Sequence, residues 1–235
     1  MNVDAILDTF NRTGVNYLLI GGMNFLLRHQ PILTFDVDLW IEDTSSNRLA
    51  CETALSALDA EWGTTEATLQ TVKNYPSGWL DRQVVFCLHS PKGAIDIFRI
   101  VPGLTDWQSS NRRAVSRLTS GGVRFRGISD ADISECQLDL EPAFQVRTNQ
   151  DPETTAWPAM SPFDELVQAE EQKRQNAWDS AARWRAIQET IAWAESQSTV
   201  KRNSPAVCRE TERNTLEQIA GWQAERRLSG QRSAS

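Results

Sequence analysis

The chain has 235 residues, 40% hydrophobic and 23% charged, with a formal net charge of −7 and a pI near 5.0. That length gives one or two domains with enough chain for a core. The acidic balance argues against broad nonspecific nucleic-acid binding, which needs a positive surface, and leaves room only for a local basic groove. Cys51, Cys87, Cys136 and Cys208 are scattered without a C-x-x-C spacing, and His29 and His89 complete no zinc pattern. Met1-Asn2-Val3-Asp4 lacks a basic start and a long apolar core, and the longest apolar run, near Tyr17 to Leu27, is too short and Gly-broken to span a bilayer. The expectation is a reduced, cytoplasmic protein without a membrane segment.

Residues 3 to 13 carry Val3, Ile6, Leu7 and Phe10 at helical spacing, with Gly14 where a helix ends. Tyr17 to Ile20 is an apolar run of strand length, broken by Gly21-Gly22. Met23 to Arg28 is helix-friendly, and Pro31 ends that helix. Phe35 to Ile41 follows as a second strand. After a polar turn with several helix-capping residues, Leu49 to Leu58 places Cys51, Ala54, Leu55 and Leu58 on one helical face. Residues 61 to 82 give no clear pattern. For Trp62 and Trp79 in that stretch, local packing is favoured over stacking against a base. Gln83 to Ser90 and Ala94 to Ile100 read as two strands joined by Pro91-Lys92-Gly93, a hairpin-like turn.

Leu104 to Leu118 reads as a helix with Arg112, Arg113 and Arg117 near its C-terminal end, favourable against the helix dipole. Val123 to Ile128 resembles an edge strand, and Ser129 caps a following helix. Residues 141 to 160 are loop-like. Ser161-Pro162-Phe163-Asp164 is a strong helix start, and the helical stretch runs to about Ala194. Phe163, Leu166 and Val167 form a stripe that stops at Glu170. The polar middle, Glu170 to Asn176, is expected to be a break or an exposed turn. Trp178, Ala181 and Ala182, then Trp184, Ile187 and Ile191, suggest further apolar faces. Ser196 to Asn203 is a polar linker, Ser204-Pro205 begins a last helix, and residues 229–235 read as a disordered tail. The basic residues after 200 read as a solvated helix and tail rather than an RNA contact.

The chemistry concentrates at residues 17 to 41. Strand periodicity puts Asp36 and Asp38 on one face and Val37 and Leu39 on the other. Two such carboxylates are costly together unless solvated, protonated or bridged by a cation. A hard divalent ion takes oxygen ligands and commonly combines protein carboxylates with substrate phosphates. Gly21 and Gly22 permit close backbone approach, and the helix after them offers amides to an anion. Arg28 is within reach of a triphosphate there, although an exposed helical Arg is more often simply solvated.

Ile20-Gly21-Gly22, thirteen intervening residues and Asp36-Val37-Asp38-Leu39 together resemble the signature of the polymerase-beta-type nucleotidyltransferase superfamily. The Thr34-Phe35-Asp36-Val37-Asp38 context is most similar to the minimal bacterial and toxin-like members. Many of those carry Arg where this chain has Ile32. The resemblance closes the small catalytic domain near residue 140; with the element pattern it gives an α/β fold, a small mixed sheet with helices at residues 1–140, which the helical C-terminal region read above at 141–228 follows. It implies Mg²⁺ or Mn²⁺ on Asp36, Asp38 and a third carboxylate, which Asp96 supplies from its apolar strand. Asp96 is also the candidate general base, with Gly21, Gly22 and Arg28 toward the nucleotide. The implied reaction moves a nucleoside monophosphate from an NTP to an acceptor hydroxyl or phosphate on RNA, protein or a small molecule. A toxin held by an antitoxin protein is one form of this. The alternative is a catalytically degenerate copy serving as a nucleotide-binding or interaction module.

Overall fold

The computed structural model describes residues 1–28, 34–104, 106–136, 161–177 and 180–197. Pro31, Ile32, the expected domain boundary near residue 140, the loop at 141–160 and the expected last helix and tail lie outside the described residues. The helices are α1 (Val3–Arg12), α2 (Gly21–Arg28), α3 (Ser45–Ala57), α4 (Trp107–Arg113), α5 (residues 130–136), α6 (Pro162–Ala177) and α7 (Ser180–Ser196). The strands are β1 (Tyr17–Leu19), β2 (Asp36–Ile41), β3 (Glu61–Trp62), β4 (Gln70–Thr71), β5 (Val85–Ser90), β6 (Gly93–Phe98), β7 (Val115–Leu118) and β8 (Arg124–Gly127). The α/β expectation holds: the strands form one mixed sheet in the order β4-β3-β5-β6-β2-β1-β8-β7. Within it, β2 runs parallel to β6 and antiparallel to β1, while β5 and β6 form the expected antiparallel hairpin.

One face of the sheet holds the larger core. Val3, Ile6, Leu7 and Phe10 of α1 and Cys51, Ala54 and Leu55 of α3 pack with Leu19, Val37, Leu39, Ile41, Phe86, Leu88, Ile95 and Ile97. Burying each large aliphatic or aromatic side chain contributes about 1.5–3 kcal/mol, so this face anchors the central strands. Asn2 caps α1 by accepting from the Ala5 amide at 3.0 Å, and Gly14 follows it with φ +73. On the opposite face Leu18, Ile20, Trp40 and Ile128 cluster with Trp107 and Ile133. The rest of that face carries Asp36, Asp38 and Asp96.

Three expectations need correction. Leu104 to Leu118 is not one helix: α4 spans only Trp107–Arg113, and Ala114 is extended. Val115–Leu118 then pairs antiparallel with β8 across a Gly121-Gly122 turn, so Arg117 lies on a strand rather than at a helix end. The hairpin gives those backbone groups ladder partners, and tertiary pairing overrides the helical pattern. The second correction is the polar middle of α6, which is neither break nor turn. The helix is continuous from Pro162 to Ala177, and Glu170, Lys173 and Arg174 are buried. In α7, Trp184 and Ile191 are exposed rather than on a packed face; Trp193 and Ala194 meet the core instead.

The unpatterned stretch from residue 61 to 82 builds an aromatic cluster. Trp62, Tyr75, Trp79 and Phe86 have ring centroids 5.1–5.7 Å apart. Trp62 and Trp79 are fully packed in it, as local packing rather than base stacking requires.

Candidate active site

The site begins where β1 ends. Ile20 donates its amide to the Asp38 carbonyl at 3.0 Å, and the chain turns into α2 at Gly21 with φ +60. A side chain is excluded there on two counts, because the backbone is left-handed and a Cβ would overlap the Asp38 carboxylate. The Gly21-Gly22 pair therefore sets the N-terminus of α2 directly against Asp38. The first-turn amides of a helix have no carbonyl partners within it and carry its positive dipole end.

Asp36 and Asp38 share one face of β2. Parallel pairing of Asp38 with Asp96 puts the third carboxylate on that same face. One carboxylate oxygen from each of the three lies within 4.8 Å of the others. Thr34 donates its hydroxyl to Asp36 Oδ1 at 3.1 Å. Asp36 and Asp38 are half-buried, whereas Asp96 is only 2% exposed, with Cys87 of β5 paired beside it.

Convergence of these charges is electrostatically expensive. Two like charges 4 Å apart repel by about 4 kcal/mol at an effective dielectric of about 20. Burial, reinforced by the charges of Asp36 and Asp96, pushes the Asp38 carboxyl well above the carboxylate range. Burial pushes Asp96 up to about 7, against the opposing pull of the Arg174 guanidinium. Burial, with Asp96 beside it, also raises the Cys87 thiol, which makes Cys87 a neutral neighbour rather than a thiolate ligand. Three clustered carboxylates are an all-oxygen donor set suited to a hard divalent ion. Asp36, Asp38 and Asp96 could hold such an ion.

Sequence reasoning missed the cation already aimed at this cluster. Arg174 of α6 donates from Nη1 to Asp96 and from Nη2 to Asp36 Oδ2 at 3.2 Å. Burial opposes its charge, but the Asp96 and Asp36 carboxylates outweigh burial and hold it protonated. Its neighbours dock the helix. Glu170 accepts from Trp62 Nε1 at 2.8 Å, from Lys173 Nζ at 2.6 Å and from the Cys87 amide at 3.4 Å. Lys173 also donates to the Gly63 carbonyl and lies over the Trp62 ring, 4.6 Å from its centroid. The signal was in the spacing. Phe163, Leu166, Val167, Glu170, Lys173 and Arg174 follow one helical stripe. Glu170 begins a charged continuation of that stripe rather than its end.

Arg28 lies at the other end of α2, roughly 10 Å along the helix axis from Gly21. It donates to the Ile128 carbonyl and to Asp130 Oδ1 at 2.6 Å, and Asn24 donates to the same Ile128 carbonyl at 3.3 Å. These bonds anchor α2 to the end of β8. Thus the fold brings Asp36, Asp38, Asp96 and Gly21 together, with Gly22 in the first turn of α2, and ties Arg28 elsewhere.

No family model matches the chain, and no curated protein matches it. Among solved structures, a provisionally assigned nucleotidyltransferase (TM1012) from Thermotoga maritima is similar at 17% identity and a TM-score of 0.40, over 61% of this chain and 84% of that one. A likeness at that score carries no argument for fold or activity. No helix among the described residues is long and apolar enough to cross a membrane.

Proposed function

We propose that the chain is a metal-dependent nucleotidyltransferase that moves a nucleoside monophosphate from an NTP to an acceptor hydroxyl. The observation that carries this reading is the convergence of Asp36, Asp38 and Asp96 within 4.8 Å on a sheet face that the N-terminus of α2 abuts. The sequence motif spanning Gly21-Gly22 and Asp36-Val37-Asp38 agrees with it. Asp36, Asp38 and Asp96 would hold Mg²⁺ or Mn²⁺, which supplies charge neutralisation for the attacking and leaving oxygens.

The protein groups divide the remaining work. Gly21 and Gly22 leave backbone amides accessible to the phosphates, and the positive end of α2 favours their charge. Asp96, buried beside the other two carboxylates, is the candidate group to accept the proton of the acceptor hydroxyl. The acceptor oxygen bonds to the α-phosphorus, the α–β bridging P–O bond breaks, and pyrophosphate leaves. Arg28 contributes by fixing α2, and it reaches a nucleotide only by giving up its bonds to Ile128 and Asp130. Use of cellular NTP is consistent with the expected cytoplasmic location, and the acceptor in this reading is RNA, a protein or a small molecule.

A second reading has an observation in its favour. Arg174 neutralises Asp36 and Asp96 as a structural ion pair would, which suits a degenerate copy used for binding. One experiment separates the two. Purified protein is incubated with each labelled NTP, Mg²⁺ or Mn²⁺, and cell RNA or lysate. Pyrophosphate and labelled product are followed beside Asp38→Asn. Label transfer that falls at least a hundredfold in the variant, with its circular dichroism unchanged, supports the enzyme and reveals the acceptor class. Transfer retained in Asp38→Asn removes the site assignment, and nucleotide binding without transfer supports the degenerate module. A toxin–antitoxin role is the finer form of the proposal. Its mark is growth arrest on expression that Asp36→Ala relieves.

A further inference from the structure

Arg174 and a divalent ion would draw on the same carboxylates. The guanidinium reaches Asp96 with Nη1 and Asp36 with Nη2, and those two residues are two of the three candidate ligands. A small divalent ion needs oxygen contacts of about 2.0–2.1 Å in a nearly fixed geometry. A doubly charged ion held on the same carboxylates as a guanidinium is repelled by its like charge, and the low-dielectric surroundings strengthen that repulsion. Simultaneous occupation is therefore strongly disfavoured.

The rest of α6 does not depend on that contact. Glu170 holds Trp62 and the Cys87 amide, and Lys173 holds the Gly63 carbonyl. The helix is thus also docked through Lys173, next to Arg174, and through Glu170, one turn before it. Beside Arg174 lies a cavity of about 80 Å³ lined by Phe35, Asp36, Gln175, Ile187 and Thr190. It gives the guanidinium room to move off Asp96 while α6 remains in place.

We propose that Arg174 is an internal counter-cation, competing with a divalent ion for the Asp36–Asp38–Asp96 cluster and swinging off it when the ion enters. The proposal deepens the reading of that cluster as a metal site and does not require nucleotide transfer. It makes metal affinity a property set by α6, a helix outside the sheet that carries the ligands.

The test is titration of the full chain with Mn²⁺ alone, reading free ion by electron paramagnetic resonance. Wild type is compared with Arg174→Gln and Arg174→Lys, each with and without Asp36→Asn. Arg174→Lys keeps the charge and protects the fold, but its single ammonium cannot span two carboxylates as a planar fork does. Arg174→Gln is expected to bind Mn²⁺ at least tenfold more tightly than wild type, and Arg174→Lys a few-fold more tightly. Asp36→Asn should abolish both gains. Should Arg174→Gln fail to fold, the Arg174→Lys comparison decides. Equal affinity across the three, weaker binding in the variants, or binding indifferent to Asp36→Asn would each overturn the proposal. Equal Mn²⁺ affinity with nucleotide transfer intact removes the counter-cation and leaves the enzyme standing. Tighter binding without transfer does the reverse.

Discussion

At the scale of single residues, Gly21 controls where Asp38 can sit. Its φ of +60 and the proximity of the Asp38 carboxylate leave no room for a Cβ. Gly21→Ala must either move the start of α2 or rotate the Asp38 carboxylate away. The left-handed backbone adds about 1–2 kcal/mol of strain for a residue with a side chain. The expected outcome is a modest fall in unfolding free energy with a loss of Mn²⁺ affinity of tenfold or more, measured by denaturant titration and metal titration on the same preparation. Unchanged Mn²⁺ affinity would mean that Asp38 is not a ligand.

At the scale of elements, α6 depends on buried charges rather than an apolar stripe. Glu170 and Lys173 are both nearly enclosed and paired at 2.6 Å. Removing one member of such a pair strands the other, at about 3–5 kcal/mol, whereas replacing both by apolar groups is often neutral. Glu170→Ala is expected to cost that amount in urea unfolding, and Glu170→Leu combined with Lys173→Met to recover most of it. A loss below 1 kcal/mol for Glu170→Ala would show that α6 is held by other contacts. This element also marks the limit of what the sequence discloses. The α1 stripe, the two strands around Gly21-Gly22 and the β5–β6 hairpin were legible, because apolar periodicity reports burial against apolar neighbours. The spacing continues the α6 stripe through Glu170, Lys173 and Arg174, but what those residues bind was not legible, because their partners lie 78 to 138 residues away. No local pattern encodes such partners. The β7–β8 pairing escaped detection for a related reason: the helical pattern over Leu104 to Leu118 cannot show that its last four residues will find a ladder.

At the scale of the molecule, the sheet order is what makes a site from scattered acids. Asp36 and Asp38 could be placed on one face from strand periodicity alone. That Asp96 joins them depends on β6 lying parallel beside β2 with Asp38 opposite Asp96, a long-range register that periodicity does not contain. The family resemblance supplied that expectation, and the register agrees with it. Arg174 then arrives from a helix more than seventy residues further along the chain. The candidate site therefore draws on both the sheet and the helical region after it.

The most direct measurement is anomalous diffraction from crystals of the chain soaked with Mn²⁺ and an NTP analogue whose α–β bridge cannot be cleaved. The expected result is an anomalous peak bounded by Asp36, Asp38 and Asp96, with the triphosphate running to the amides of Gly21 and Gly22. Mn²⁺ bound elsewhere, or nucleotide bound away from a cluster still bridged by Arg174, would contradict assignment of the cluster to nucleotidyl transfer.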